Sequence, residues 1–294
     1  MKTFGFFILG QKGYRCLADF LIAFGTSNIA YVCSSRDLNV REDYYREIKL
    51  LCDKKSIQFY ERSRMKNLIA DYKIAIGWRW IISEDSNLIV FHDSLLPKYR
   101  GFSPLVNALI NGEKEVGVTA LRASDKYDQG PIIGQKSMKI NYPIKINEAI
   151  KEISILYSDL LITIGANLID GNSLDERVQN NHEASFSPWR NEDDYYINWH
   201  ECSDKVIRFV DATGYPYAGA KSKIGSAIVR VSEVEKFDDV IVEERKSHVG
   251  KILFMNGDKP IVICGSGLVK IISIFDEKGN SLVGKIPFRT KFGN

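Results

Sequence analysis

Through its first half the chain alternates short apolar runs with stretches of helical spacing, and after residue 220 short apolar runs stand alone. KTFGFFILG, QKGYRCLADFLIAFG and NIAYVCS read as strand, glycine turn with amphipathic helix, and second buried strand. SIQFYER, YKIAIGW and NLIVFHDS supply further strands, which GVTALRAS and PIIGQKSMKI extend. This succession predicts an open, mostly parallel α/β sheet. Apolar residues at 149, 150, 153, 156, 160, 161, 164 and 168 then predict a long helix, with Asn147 as its cap and Gly171 as its stop.

Beyond that helix, NSLDERVQNNHEASFSPWRNEDDYY is polar and rich in turn formers, which marks a linker. Ser203 can cap a short helix carrying Val206, Phe209 and Val210 on one face. SAIVRVSEVEKF, GKILFMNG, PIVICG and LVKIISIF follow as closely spaced strands, with Asn256-Gly257 in hairpin-turn chemistry. The expected division is an α/β domain over 1–185, a linker over 186–202 and a small antiparallel β-barrel over 203–294.

A length of 294 residues suits that arrangement. The net charge of +3, from 40 basic and 37 acidic residues, is too small for a dedicated nucleic-acid binder. Five cysteines (Cys16, Cys33, Cys52, Cys202 and Cys264) are odd in number and widely spaced. Neither a disulfide framework nor a zinc site is expected, and a reducing cytoplasm fits. TFGFFILG runs into polar QKG instead of a cleavage site, and no stretch reaches the ~20 apolar residues of a bilayer span. A soluble, unexported protein is expected.

The chemistry gathers in FHDSLLPKYRG, residues 91–101. His92 ends a strand, and ligands of open α/β sheets bind where strands end at their carboxyl side. Pro97 turns the chain, and Ser103-Pro104 opens a helix PLVNALING that Gly112 stops. A helix N-terminus with Lys98 and Arg100 beside it suits an anion. A second loop, ASDKYDQGPI, carries Asp125 and Asp128. If both loops share an edge, Asp128 reaches His92, and a carboxylate beside a histidine fixes its tautomer for base chemistry. An equally direct reading pairs Arg100 with a neighbouring carboxylate to brace the loop.

HDSLLPKYRG, NGEKEVGVT and DKYDQGPII, in that order and spacing, resemble the signature of the folate-dependent formyltransferases. That resemblance implies a Rossmann-like formyltransferase domain with a small C-terminal OB-like β-barrel. It implies transfer of a formyl group from 10-formyltetrahydrofolate to an amine, with no metal. His92 falls on the family's catalytic histidine and Asp128 on its aspartate. Trp78, Arg79, Trp80 and Ile81, within AIGWRWIIS, fall where the family holds the pterin, with Asp125 and Tyr127 also on the cofactor side; the alternative is that the two tryptophans simply pack the sheet edge. Ser94, Lys98, Tyr99, Arg100 and Gly101 fall on the acceptor side. One position departs: the family has asparagine two residues before the histidine to hold the formyl oxygen, and this chain has Val90. Positions 90 and 92 of a strand share a face, so Val90 faces the site without a hydrogen bond to give.

The stretch SSRDLNVREDYYREIKLLCDKK, where relatives acting on tRNA tend to carry a basic loop, mixes acids and bases evenly. FHDSLLPKYRGFSPLVNALING, YPIKINEAI, SPWRNEDDYYINW and GYPYAGA are similar to bacterial formyltransferases of nucleotide-linked amino sugars, including a UDP-linked 4-amino-4,6-dideoxy-N-acetyl-altrosamine of the pseudaminic acid type. The expected partner is therefore a nucleotide sugar, with no membrane, no nucleic acid, and a homodimer left open. Methionyl-tRNA formyl transfer, and a non-catalytic folate or sugar-nucleotide binding protein, stand as alternatives.

Other features carry less. His182, His200 and His248 lack partners at metal-ligand spacing. Glu192-Asp193-Asp194 reads as a solvated acidic run, and Trp189, Tyr196 and Trp199 as docking residues of the linker. Gly10 and Gly13 in LGQKGYRC lack the G-x-G-x-x-G of a dinucleotide site, and no G-x-S-x-G surrounds Ser94.

Overall fold

The structure, a computed structural model, describes residues 1–65, 68–82 and 87–293. It divides into two compact units: 1–105, 114–140 and 148–189 form the first, and 106–113, 141–147 and 190–294 the second.

In the first unit β1 (Phe4–Ile8), α1 (Gly10–Phe24), β2 (Ile29–Ser34), α2 (Tyr45–Lys54), β3 (Phe59–Glu61), β4 (Tyr72–Ile76) and β5 (Leu88–His92) follow in chain order. A two-residue strand β6 (Arg100–Gly101), β7 (Glu115–Arg122), β8 (Ile132–Lys139), α4 (Ile146–Ile169) and β9 (Phe186–Ser187) complete it, while helix α3 (Pro104–Asn111), between β6 and β7 in the chain, falls mostly in the second unit. The sheet order is β3-β2-β1-β4-β5-β7-β8. The first five strands are parallel, while β7 and β8 are antiparallel additions. The parallel strands read as near-continuous apolar runs because helices cover the sheet: β1 is buried along its whole length.

Helix α4 begins at Ile146, so Asn147 lies inside its first turn and is not the cap. Gly171 does stop it, at a left-handed φ of 80°, with its N–H bonded to the Leu168 carbonyl and that of Asn172 to Asn167. The helix is long and apolar enough to cross a membrane. Here Ile153, Tyr157, Leu161, Ile164 and Leu168 are buried, and Gly165 lies against Phe20 of α1. Ser158 adds a 2.6 Å hydrogen bond to Asp19.

The polar stretch expected as a linker is built into both units. Phe186-Ser187 pairs in parallel with Arg100-Gly101, and Arg177 bonds reciprocally with Ile132 at 2.8 Å. Ile197 and Trp199 are buried in the core of the second unit, where the Trp199 indole donates to Ser222 Oγ at 3.0 Å. Tyr196 lies under Lys221 and Lys223, and Trp189 is exposed. Glu192 is not simply solvated: it pairs with Lys221 and Arg230, and these hydrogen bonds hold its carboxyl below the usual range.

The second unit adds α5 (Ser203–Thr213), β10 (Ala220–Ile224), β11 (Ala227–Phe237), α6 (Arg245–His248), β12 (Ile252–Asn256), β13 (Lys259–Ile263), β14 (Leu268–Asp276) and β15 (Phe292–Gly293). Cys202, not Ser203, holds the cap position of α5. The strands form an antiparallel sheet in the order β12-β13-β14-β11-β10-β15. It curls until its edges touch, through a Lys251–Lys291 bridge and a 2.7 Å bond from the Phe292 N–H to the Gly250 carbonyl. Gly257 takes φ 62° in the two-residue turn between Asn256 and Lys259.

Candidate active site

His92 ends β5 and is only 7% exposed. Its Nε2 lies 2.8 Å from the carbonyl oxygen of Tyr99 and its Nδ1 3.5 Å from Asp128 Oδ1. A carbonyl only accepts, so the Nε2 atom carries the proton in the neutral ring. Nδ1 is then the basic nitrogen, and it faces a carboxylate across a gap wider than a good N–H···O bond. Asp128 is held from its other side: Oδ2 accepts the Gly101 N–H at 2.8 Å.

Asp128 gets there by an indirect route. Because β7 runs antiparallel to β5, its last residue, Arg122, pairs with Ile89, away from His92. The following loop crosses back along β5, and Gly130 and Pro131 return the chain to β8. Asp128 sits at φ 55°, a left-handed conformation that aspartate tolerates better than most residues. Gln179 fixes that turn by donating from Nε2 to the carbonyls of Asp128 and Gly130, both at 2.8 Å. Tyr99 (φ 58°) and Ser103 (φ 47°) are also left-handed, so the segments around His92 are conformationally unusual on both sides.

The SLLP turn is a brace. Ser94 is buried; its hydroxyl donates to the Lys98 carbonyl at 2.7 Å, and its N–H to that of His92 at 2.9 Å. Thr119 Oγ1 bonds the Ser94 carbonyl and the Leu96 N–H, and Gln135 Nε2 donates to the Leu96 carbonyl. Lys98 is exposed, and the Tyr99 N–H bonds Ser185 Oγ at 2.9 Å.

Arg100 is 2% exposed and does not present a free cation. Its Nε and Nη2 donate to Gln179 Oε1 at 3.0 and 2.8 Å, and Nη2 also to Asn181 Oδ1 at 2.9 Å. These partners are neutral amides, not the carboxylate that a bracing role suggested. Burial lowers the guanidinium pKa, and the nearby Asp128 charge opposes that shift.

Beside His92, β4 pairs with β5 in parallel register, Ile76 opposite Phe91, so Gly77 and Trp78 leave the sheet at the same carboxyl edge. The Trp78 ring meets Phe7 at 5.4 Å and Trp80 at 5.1 Å. Its Nε1 is buried and has no hydrogen-bond partner among the described residues. Arg79 is bound to both oxygens of Asp37, at 3.0 and 2.7 Å, Arg62 lies over Trp80 at 4.2 Å, and Ile81 is exposed. Ser83, the end of the motif, lies outside the described residues. Asp125 and Tyr127 are exposed, and Tyr127 lies 6.2 Å from the Phe102 ring. Val90, partly buried, packs with Leu96, Leu121 and Ile132.

Sequence reasoning missed Gln179, Asn181, Thr119 and Gln135, and it missed what lies behind His92. Asp93 forms an ion pair with Lys12 of α1 and a hydrogen bond with the Tyr157 hydroxyl of α4. Burial opposes its ionisation, but Lys12 and Tyr157 outweigh that and hold the carboxyl below its ordinary value. Burial, then the Asp93 charge, raises the Tyr157 phenol. Among the described residues no three His, Cys, Asp or Glu side chains gather as a metal site.

Two family models match the chain: formyl transferase over residues 53–153 and formyl transferase, C-terminal domain, over 190–290, between them more than half of its length. The chain belongs to the formyltransferase family. Its relatives include the methionyl-tRNA formyltransferase of Thermodesulfovibrio yellowstonii, 29% identical over 76% of this chain and 71% of that protein. The enzyme of the same description from Streptococcus agalactiae is 29% identical over 62% of this chain and 56% of its own length. The match thus spans little more than half of that relative.

Among solved structures, this formyltransferase-family chain resembles WlaRD, described as a sugar 3N-formyl transferase with dTDP and 5-N-formyl-THF, at TM-score 0.67 and 16% identity. The match covers 92% of this chain and 97% of that one. An N-formyltransferase from Helicobacter canadensis, in complex with folinic acid and dTDP-3-aminofucose, gives the same TM-score and identity over 92% and 99%. The methionyl-tRNA formyltransferase of Clostridium thermocellum gives 0.57 at 18% identity, over 82% and 96%. At these identities the likeness establishes the fold.

Proposed function

We propose that the protein is an N-formyltransferase that uses 10-formyltetrahydrofolate to formylate the amine of a nucleotide-linked amino sugar. The observation that carries the chemistry is the pinned histidine. Tyr99 holds the Nε2 proton, so Nδ1 is free to take a proton from the attacking amine. Asp128, 3.5 Å away, then stabilises the imidazolium. General-base help of this kind is worth about 10² to 10⁴ in rate. Once protonated, Nδ1–H also becomes a donor in a site where Val90 offers none.

The bound folate would supply the formyl group, its N–C(formyl) bond breaking as the acceptor amine's N–C bond forms, and tetrahydrofolate would leave with the proton taken up by His92. Trp78 and Trp80 would wall its ring, and the unpartnered Trp78 Nε1 suits a heterocycle that brings an acceptor. Asp125 and Tyr127, from the other loop, would meet it at the mouth. Ser94 and Arg100 act through the turn they brace, leaving exposed Lys98, with the backbone of Tyr99 and Gly101, on the acceptor side. We read the curled second unit as OB-like.

Two observations favour a sugar nucleotide over tRNA. Two solved neighbours, at TM-score 0.67, carry dTDP or a dTDP-sugar. Arg36 is paired with Asp43 and Arg79 with Asp37, so these two cations are spent internally. The methionyl-tRNA enzymes among the sequence relatives support tRNA as the second reading. Incubation with 10-formyltetrahydrofolate and a panel of UDP- and dTDP-linked amino sugars, read by mass spectrometry, tests the assignment. A gain of one formyl group that is lost in His92→Asn supports it. Transfer only to methionyl-tRNA transfers the assignment to the second reading, and ligand binding without any turnover leaves a non-catalytic homologue.

A further inference from the structure

We propose that Lys12, Asp93 and Tyr157 form a buried positioning network that sets the His92 imidazole from behind, on the opposite face of the sheet. The inference rests on the formyl-transfer reading in that it gives His92 a reaction to be positioned for. The network itself is a matter of geometry.

Asp93 is the next residue after His92, at the point where β5 ends. Side chains of successive strand residues point to opposite faces. His92 therefore faces Asp128, with Val90 two residues back on the same side. Phe91 and Asp93 face the helices: the Phe91 ring lies 5.8 Å from that of Tyr157, and the Asp93 carboxylate takes Lys12 on Oδ2 and Tyr157 on Oδ1. The Tyr157 hydroxyl also lies 3.5 Å from the Phe91 carbonyl. Both oxygens of one carboxylate are thus tied to two different helices, and Lys12 and Asp93 are only 16% and 17% exposed.

The helices are fixed to each other. Ser158, beside Tyr157, bonds Asp19, which also pairs with Arg15, and one turn or two further along Gly165 meets Phe20. Asp93 is therefore anchored to a rigid pair. On its other side the imidazole is hydrogen-bonded to the Tyr99 carbonyl, within a turn that itself begins at Asp93, and faces Asp128 at 3.5 Å. A charged, buried tether on the adjacent residue fixes the backbone from which the ring projects, joined to it through one planar peptide. Such a tether is an expensive way to fasten a strand end, since an apolar pair of similar volume would stabilise as well. It is suited to fixing direction. Misplacement of a catalytic group by about 1 Å can lower turnover ~100-fold.

The test uses the full chain with Asp93→Asn, which keeps shape and removes charge, and Tyr157→Phe, which removes one hydroxyl and leaves the ion pair. Two readouts are taken. Steady-state formyl transfer should show kcat lowered about 10- to 100-fold in Asp93→Asn, with KM for donor and acceptor within about 2-fold, and a smaller loss in Tyr157→Phe. Ring ¹⁵N shifts of the four histidines, assigned with His92→Asn, should show His92 as the Nε2–H tautomer in the native protein and as a tautomer mixture in Asp93→Asn.

A kcat per folded molecule unchanged in both variants, with only the melting temperature lowered, would reduce the network to a structural brace. Unchanged His92 shifts would do the same. The NMR arm needs no substrate, so a native protein that turns over no acceptor would count against the proposed reaction and leave the network decided by its shifts. If Asp93→Asn does not fold, Tyr157→Phe decides alone by the same two readouts.

Discussion

Position 90 is where this chain departs from the family it resembles, and its surroundings say how the departure is tolerated. Val90 is only partly buried, packed against Leu96, Leu121 and Ile132, so an amide there would lose apolar contact on one side. If protonated His92 already serves as the donor, Val90→Asn should leave kcat within about 3-fold of native while lowering stability by about 1 kcal/mol through lost apolar contact. Activity assay and thermal melt check both halves; a gain of tenfold or more in kcat would show that the donor was missing. Gln179 is the other informative residue. Its amide accepts twice from buried Arg100 and donates to two carbonyls of the Asp128 turn. Gln179→Ala should cost about 3 kcal/mol, because hydrogen bonds to a buried charge are worth more than neutral ones. It should also lower kcat by releasing Asp128, as a melt and a turnover assay will show. Neither partner was legible in sequence: Gln179 lies 79 residues from Arg100, in a stretch whose composition says only that it turns.

At the scale of elements, β5 and its neighbours were legible because parallel strands buried on both faces leave unbroken apolar runs. The direction of β7 was not. GVTALRAS carries the same pattern whether it runs parallel or antiparallel, and only the pairing of His92 with Thr119 shows that the Asp128 loop must double back. The contact of α1 with α4 was half legible: spacing placed Ile153, Leu160 and Leu168 on one face, but a glycine at 165 reads as a defect in a helix. A Cβ there would stand 2.9 Å from Phe20 and 3.2 Å from Phe24. Gly165→Ala should therefore destabilise by ~1–3 kcal/mol despite gaining about 1 kcal/mol of helix propensity, which denaturant unfolding can measure. Between the same helices, Asp93 gives a pH signature. Its carboxyl is held below the ordinary value, so its stabilisation is present above the unfolded-state pKa and is lost as pH falls through the folded-state one. Asp93→Asn should cost about 3 kcal/mol at pH 7, and unfolding curves of variant and native protein should begin to converge only below about pH 4, the unfolded-state value, and meet once pH has fallen below the folded-state one.

Across the whole molecule, the five cysteines are free thiols, as their odd number and wide spacing suggested, yet they differ in a way that spacing does not express. Cys16 lies at the α1–α4 contact, Cys33 in β2, Cys52 in α2 and Cys264 just after β13, all buried, whereas Cys202 is exposed at the cap of α5. Burial pushes the thiols of Cys33, Cys52 and Cys264 up to about 12 and raises that of Cys16 further. Thiolate is the reactive form, so at neutral pH burial suppresses both access and ionisation at four sites, spread over both compact units. A disulfide-exchange reagent should therefore titrate one fast thiol per chain in the native protein and five after denaturation. Cys202→Ser should abolish the fast phase and leave the melting temperature within about a degree, since substitution of an exposed side chain costs little. Because the slow thiols report each unit separately, their release on adding urea tracks opening unit by unit. Cys264 answers for the curled sheet, and Cys16, Cys33 and Cys52 for the parallel one. Fast labelling of a second cysteine in native protein would mean that the unit containing it opens locally, and the residue labelled would say where.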